Sequence, residues 1–552
     1  MSLRLEHLPA DVHGLSPLSR SALAERPRPS VAPGLTVPRT IDELPRLEER
    51  FEEDERADLA ATLEAACLPF EPHVAVLESA RKLATPGACI MMAGQQPGLF
   101  GGPLYNLWKA VHVIRLAREA ERAWGVPVVP GFWNHADDHD VTEVHHAWVQ
   151  NNNLDLQKVV LAGLGPGKRP IGGIRLDQEA QRLSAITELL HHILGDAPRA
   201  RFARELFAPR DGESLADGLT RMLFALFGDQ GLLVIDPNWI RTPCSRALAQ
   251  IVGVGPTRFL QEGADAVFGA GHTPAIDPST AALVFHHVDG ERQALRAAED
   301  GFRYDGEPGS RTAAELAAEI VQEPENWSAG ALLRPIVQDL ALPVAAYVGG
   351  WGELAYHAEL PPLRRAAGAP LTAFLPRLSV TLVDADVDAS LEALETDVAG
   401  FVSGSAAEAE PEETALHPVA SSLRTLETEV RERLGDLETP LTELDPGLVN
   451  QLRRASRDVG KLFDRLTGKI ERVHANAQGR GRRHERRLTT SLKPRDKPQE
   501  RVRTALEVIA RNGTDWLAEL IPDVDPFPTE HLVVHLPPAG DPHAGDERTE
   551  DA

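Results

Sequence analysis

Four histidines and four carboxylates fall within GFWNHADDHDVTEVHHAW (131–148): His135, His139, His145 and His146, with Asp137, Asp138, Asp140 and Glu143. Packing alone does not account for that density, because buried charge needs a partner or a metal. Two chemistries are open, against the plainer alternative of a polar surface loop. His139, flanked by Asp138 and Asp140, has the makings of a general base whose pKa those carboxylates raise. His135, His139 and Glu143 are four apart, so on a helix they would share one face and could hold zinc. No HExxH pattern is present, which favours an acid–base and substrate-orienting set of Asp138, His139, Asp140 and Glu143, helped by His146, over a metal site. No metal is therefore assigned.

Two further stretches could meet this cluster. In CIMMAGQQPGLFGGPLYNLWKAVHVIRLAREA (89–120), Gly94, Gly98, Gly101 and Gly102 follow an apolar strand and precede a helix. Glycine permits positive φ and close backbone approach, and a helix amino end is a natural seat for an anion. The loop is neither a Walker A motif nor GxGxxG. It reads as a tight structural turn or as a cradle for a cofactor phosphate, with Gln95, Gln96, Tyr105, Asn106 and Lys109 reaching a substrate. In NWSAGALLRPIVQDLALPVAAYVGGWGELAYHAEL (326–360), Arg334, Gln338 and Asp339 mark an otherwise apolar helix. Tyr347, Gly349, Gly350 and Glu353 then mark a strand end that forms a plausible second wall. Cys67, Cys89 and Cys244 carry no local catalytic signature and read as buried thiols.

These residues must be positioned by strands and helices. ACIMMA (88–93) and VPVVPGFW (126–133) are strand candidates, and Leu104, Leu107, Trp108, Val111 and Ile114 between them recur at helical spacing. Strand, loop, helix, strand is a βαβ unit with parallel strands. Further strand candidates are VHHAWVQ (144–150), GLLVID (231–236), AALVFHHV (281–288), LPVAAYVGG (342–350) and LTAFLP (371–376), with helical stretches between them. The fold class expected is α/β: a Rossmann-like, mostly parallel sheet with inserted subdomains. In such sheets ligands gather beyond the carboxyl ends of the strands, where all three motifs lie.

From 384 onward the strand signal fades. Leu423, Leu426, Val430, Leu434 and Leu437 recur at three and four, as do Leu448, Leu452, Ala455, Val459, Leu462, Leu466 and Ile470. That predicts an antiparallel helical pair or coiled coil. Residues 480–503 carry ten Lys or Arg against three acids, a solvated connector or a seat for an anionic group. A helix near 500–519 and HLVVHLP (531–537), an expected edge strand, follow, and the last dozen residues read as frayed. The organisation expected is an extension at 1–50, a catalytic core at 51–383 with insertions near 155–230 and 290–330, a helical domain with its basic connector at 384–500, and a return to the core at 501–552.

Composition narrows the classes. The chain has 552 residues, more than one ordinary core accommodates. Its 57 basic and 82 acidic side chains leave a net charge of −25, which argues against a general nucleic-acid or anionic-membrane binder. Three scattered cysteines fit reduced thiols. The start has no signal-like apolar region, and no apolar run has the length of a membrane span. A cytoplasmic protein is expected.

GQQPGLFGGPLYNLWKA, FWNHADDHDVTEVHH, LLRPIVQDLALPVAAYVGGWGELAYHAEL and KPQERV, in that order, resemble the cysteine-adding ligase family of bacillithiol biosynthesis. The resemblance runs from about residue 65 to 537. It implies a Rossmann-like core interrupted by connective subdomains, a helical coiled-coil domain and a homodimer. It implies joining the carboxyl group of L-cysteine to the amine of glucosaminyl-malate, with ATP and magnesium as the candidate energy source. Gly94, Gln95, Gln96, Gly98, Gly102 and Tyr105 match the family's loop. Asp138, His139, Asp140, Glu143 and His146 match its acidic-histidine motif, and Arg334, Gln338, Asp339, Gly349, Gly350 and Glu353 its later block. On that reading Lys109 and the loop amides meet phosphate or oxyanion charge, while Arg334 and the basic stretch meet the malate carboxylates. The chain departs from the family at Asn134–Asp137 and at His145. A metal-dependent amidohydrolase using His135, His139 and Glu143, and a non-catalytic coiled-coil scaffold, are the competing readings.

Overall fold

The computed structural model describes residues 3–47, 49–151, 153–164, 167–176, 180–298, 301–305, 310–404, 418–477 and 480–537. The final residues expected to fray, from 538 on, lie outside the described residues. The chain forms two compact units, Met1–Ala385 with Leu492–Ala552, and Asp386–Ser491.

The first unit is built on five parallel strands: β1 (Cys89–Gln95), β2 (Val128–Asn134), β3 (Leu233–Ile235), β4 (Val344–Gly349) and β5 (Ala373–Pro376). Their order across the sheet is β5-β4-β1-β2-β3. Each is a continuous apolar run, as a strand covered on both faces must be. Helix α1 (Tyr105–Trp124) makes the crossover from β1 to β2, burying Leu107, Trp108, Val111 and Ile114. The chain steps outward from β1 to β3 and then returns to place β4 on the other side of β1. Helix α2 (Arg334–Ala341) leads into β4, and α3 (Trp351–His357) follows it. At this reversal the connections leave β1 and β4 in opposite directions and open a crevice beyond their carboxyl ends.

Strands outside this sheet were legible as strands but not by their partners. Residues 144–150 contribute His146–Gln150 to a hairpin with Leu156–Val160, and 281–288 contribute Ala282–Val288 to a four-stranded antiparallel sheet. In that sheet the order is Trp327–Ala329, Ala282–Val288, Glu291–Ala298, Gly301–Tyr304. The C-terminal strand Glu530–His535, expected at an edge, is central instead. It pairs antiparallel with Arg4–Pro9 and parallel with Ser379–Val383. Residues 1–50 supply that outer strand and bury Leu18, Ala22, Val31 and Val37, so this segment is part of the core rather than an extension. Its elements are a six-residue strand and an eight-residue helix, too short to show a period.

In the second unit the helices Pro418–Asp436 and Pro446–Ala477 pack on one another through a short helix, Glu438–Leu444. The expected line of the long helix is covered only in part. Val449, Gly460 and Thr467 are buried, the expected Leu448, Leu452, Val459 and Ile470 are half-buried, and Ala455, Leu462 and Leu466 are exposed. Gly460 lies beside the Arg431 side chain of the partner helix. Among the described residues, no helix is long and apolar enough to cross a membrane.

Two measurements follow from this packing. Gly263 lies inside the helix Pro256–Gly269, where Ala ordinarily stabilises by about 1 kcal/mol. Here a Cβ would sit 1.9 Å from the Glu359 carbonyl oxygen, so Gly263→Ala should destabilise, by about 1–3 kcal/mol in chemical unfolding. The second concerns two buried histidines. His112 bonds the Pro526 carbonyl at 2.9 Å and accepts from the Leu378 amide at 3.1 Å; His531 bonds Ser379 and Thr381, each at 2.9 Å. Burial lowers their pKa values to about 4 and about 3. The unfolded chain therefore binds protons first below its ordinary value of about 6.5. Stability should fall as pH drops from about 6.5 toward 4, by up to about 1.4 kcal/mol per pH unit for each histidine. A unfolding series from pH 8 to 4 checks the sign.

Candidate active site

The crevice opens into a cavity of about 610 Å³. Gln95 and Gln96 line it from the end of β1, His135, Asp137, Asp138 and His139 from beyond β2, and Gly350 from beyond β4. Tyr105 and Lys109 come from α1, Arg334 from α2, Glu353 and Tyr356 from α3. The antiparallel sheet supplies Phe285, Arg292, Trp327 and Ser328, and Arg377 and Arg501 are also among the lining.

Lys109 is 1% exposed, and its ammonium donates to the Gly94 carbonyl at 2.7 Å, Gln95 Oε1 at 2.9 Å and Glu353 Oε1 at 2.5 Å. Three acceptors use all three of its protons, so none remains for a phosphate or an oxyanion. Glu353 also accepts from the Gly350 amide at 2.9 Å and the Tyr347 hydroxyl at 2.8 Å. Burial pushes the Glu353 carboxyl upward, but Lys109 and these two donors hold it below the usual range. Tyr347 is thus buried behind the wall as a support for Glu353.

Arg334 differs from Lys109. Its guanidinium lies 5.3 Å from the Tyr347 ring centre and donates to Gln338 Oε1 at 3.2 Å and the Tyr356 hydroxyl at 3.3 Å. Both partners are neutral, and among the described residues no carboxylate pairs with Arg334 or with Arg501. Gln338 and Asp339 are buried behind it: Gln338 donates to Asp339 at 3.2 Å, and Asp339 pairs with Arg364. Arg377 is held by Glu500 at 2.6 and 2.9 Å, and Glu500 also accepts from the Val380 amide. The KPQERV stretch therefore reaches the cavity through Arg501 and braces it through Glu500.

The acidic-histidine segment is irregular from His135 to Asp140, and only Val141–Val144 is helical. His135, His139 and Glu143 do not share a helical face, which removes the basis for the zinc arrangement. Among the described residues, no group of three or more His, Cys, Asp or Glu is placed to hold a metal ion. Asp137 is taken by Arg241 through two bonds of 2.9 and 2.5 Å. Asp138 lines the cavity and accepts from the Gln96 side chain and from the amides of His139 (2.7 Å) and Asp140 (3.3 Å). Asp140 caps the short helix through the Thr142 amide at 3.1 Å, and Glu143 accepts from Gln96 at 3.1 Å. Both face a shallow depression beside the main cavity, shared with Asp138 and His139. His146 packs edge-on against His145 and is not among the residues lining the cavity.

His139 reverses the expected sign. Its pKa is lowered, first by burial and then by Arg292, which together outweigh Asp138 and Asp140. Arg292 comes from the strand Glu291–Ala298 and has no local motif to announce it; an arginine at an inward position of a half-buried strand was the available signal. His135 is also held far below its ordinary value, by burial and by Arg334 and Lys109, and its Nε2 is buried with no hydrogen-bond partner among the described residues.

The glycine turn serves packing. Gly98 and Gly102 pack so closely that a Cβ on the first would meet the second at 2.9 Å, and Gly101 lies against Met222. Asn106 holds the turn by donating to the Gly101 carbonyl at 2.7 Å. The Leu104 amide, at the amino end of α1, donates to the Arg503 carbonyl at 2.8 Å. Gly98, Gly101, Gly102 and Asn106 are not among the residues that line the cavity. Gly94 packs against His135 and Gly349 against Phe374. All three cysteines are buried, and burial pushes each thiol to about 12.

Against known families, residues 39–378 match the model described as "Bacillithiol biosynthesis BshC, N-terminal Rossmann-like domain", and residues 380–536 match "Bacillithiol biosynthesis BshC, C-terminal coiled-coil domain". The chain belongs to the BshC family. A relative from Koribacter versatilis, named "Putative cysteine ligase BshC", is 30% identical over 463 residues, covering 82% of this chain and 84% of its own. BshC relatives of the same name from Geobacillus thermodenitrificans and Symbiobacterium thermophilum are 27% and 29% identical, covering 87% and 85% of this chain and 91% and 88% of their own. The Rossmann-like parallel core and the coiled-coil region are those of the BshC family models.

Lys109→Met would leave Glu353 buried without its cation. Breaking a buried pair from one side costs about 3–5 kcal/mol, and denaturant unfolding of the variant should show a loss of that order.

Proposed function

We propose that this chain joins the carboxyl group of L-cysteine to the amine of glucosaminyl-malate, forming an amide. The observation that carries the reading is one cavity lined both by cations without a carboxylate partner and by a carboxylate. Arg334 and Arg501, without carboxylate partners among the described residues, offer seats for a dicarboxylate, and Asp138 offers a seat for an ammonium. A volume of about 610 Å³ suits small substrates. Membership of the BshC family and the cysteine-ligase name of the relatives support cysteine as the donor.

The attacking amine must be neutral, so an acceptor has to take its proton, and Asp138 lines the cavity with a carboxylate positioned by backbone amides. Gln95 and Gln96 bring side-chain amides to the same floor. The cysteine carboxyl must be activated, since a carboxylate does not surrender oxygen to an amine unaided. ATP with magnesium would supply that activation. The hydrolase reading lacks its metal ligand set among the described residues.

Incubation of the protein with L-cysteine and glucosaminyl-malate, with and without ATP and magnesium, should give the condensation mass in the complete mixture. Arg334→Met should raise KM for the amino sugar roughly 10- to 150-fold, the worth of about 1.5–3 kcal/mol for charged hydrogen bonds, and leave KM for cysteine unchanged. Product absent in every mixture, with the amino sugar still bound, would replace the acyl donor. Neither product nor binding would overturn the reading.

A further inference from the structure

Arg292 stands against His139 from a strand 153 residues further along the chain. Its guanidinium centre lies 3.8 Å from the Phe285 ring centre, and its Nη2 donates to the Ala329 carbonyl at 3.1 Å. Its Nη1 is 3.1 Å from His139 Nδ1, and the His139 ring packs on the same Phe285 at 5.3 Å between centres. Guanidinium carries donors only and keeps its proton in proteins. His139 Nδ1 must therefore accept, which puts the single ring proton on Nε2. Nε2 has no protein partner among the described residues, and His139 lines the cavity.

We propose that Arg292 is a positioning residue that locks His139 as the neutral Nε2–H tautomer, so that His139 donates a hydrogen bond to substrate and Asp138 is the proton acceptor of the reaction. A second proton on His139 would have to enter at Nδ1, against a cation already donating there. Charged groups near the ring are Asp138 and Asp140 on its own loop and Arg292 on the sheet. Asp138 is engaged by Gln96 and by two amides, and Asp137 by Arg241. Burial and Arg292 lower the His139 pKa despite both flanking carboxylates. In the proton step, an ammonium N–H of the acceptor passes its proton to an Asp138 oxygen. The carboxylate becomes the neutral acid, the amine regains its lone pair, and His139 keeps its own proton throughout.

The assignment of substrate rests on the ligase reading; the tautomer does not, and it is measured without substrate. Full-length protein labelled with [15N]histidine, with His139 assigned by its loss in His139→Asn, should show a pyridine-type Nδ1 and a pyrrole-type Nε2, unchanged from pH 8 to 6. In Arg292→Met the ring should exchange between tautomers and titrate closer to its ordinary value. Arg292→Lys, which keeps a charged donor, should retain the wild-type pattern and serves if the Met variant fails to fold. A wild-type Nδ1–H signal, wild-type titration near 6.5, or an unaltered ring in folded Arg292→Met would each overturn the proposal. If the ligation assay succeeds, Asp138→Asn should abolish turnover, while His139→Asn should lower kcat with KM little changed. Loss of the assay with the tautomer intact would count against the ligase reading alone.

Discussion

The Lys109 ammonium has three protons, and the carboxyl end of β1 together with the first turn of α3 supplies the three acceptors that use them. Gly94 and Gln95 lie at the end of β1, and Glu353 lies just beyond β4, so one buried cation spans the point where the sheet reverses its order. Each partner is costly to leave alone in a low-dielectric interior. The crevice floor is therefore organised within the protein itself. Gln95 is oriented by its bond to Lys109, Glu353 caps α3 through the Gly350 amide, and Tyr347 is fixed beneath Arg334.

That arrangement divides the cationic side chains of the cavity by what they can still do. Lys109, Arg241 and Arg377 are matched to Glu353, Asp137 and Glu500 and serve as structure. Arg334 and Arg501 pair with no carboxylate among the described residues and retain charge for a ligand. A chain with net charge −25 thus keeps a cavity suited to anions, because local partners rather than the total decide the field a small molecule meets. Arg292 has a third use: it spends its charge on the orientation of a neighbouring ring.

Much of the catalytic core was readable from residue order. Apolar runs covered on both faces mark β1, β2 and β4 without help from partners, and helical spacing marks α1. Clustering of polar residues at the ends of those runs marked the cavity, with Gln95, Gln96, Lys109, Asp138, His139, Arg334 and Glu353 among its lining. Other placements depended on partners that local pattern does not name. Asn106, Gln338, Asp339 and the turn glycines have the same residue types as ligand-binding groups, yet their bonds go to the protein. The helical pair was legible as a pair, but how far each position of its long helix is covered depends on the partner helix and not on the leucine spacing alone.

By itself, then, the amino-acid sequence determined the parallel core, the helical second unit and the segments that meet at the crevice, because those follow from which faces of a strand or helix are apolar. Tertiary structure alone decided that Glu530–His535 is central, that Lys109 has no free proton and that His139 is depressed rather than raised. These turn on single partners brought from distant strands and helices. A pairing of strands depends on edges left open elsewhere, and a pKa on the nearest charge in space; neither quantity is a property of the residues adjacent in the chain.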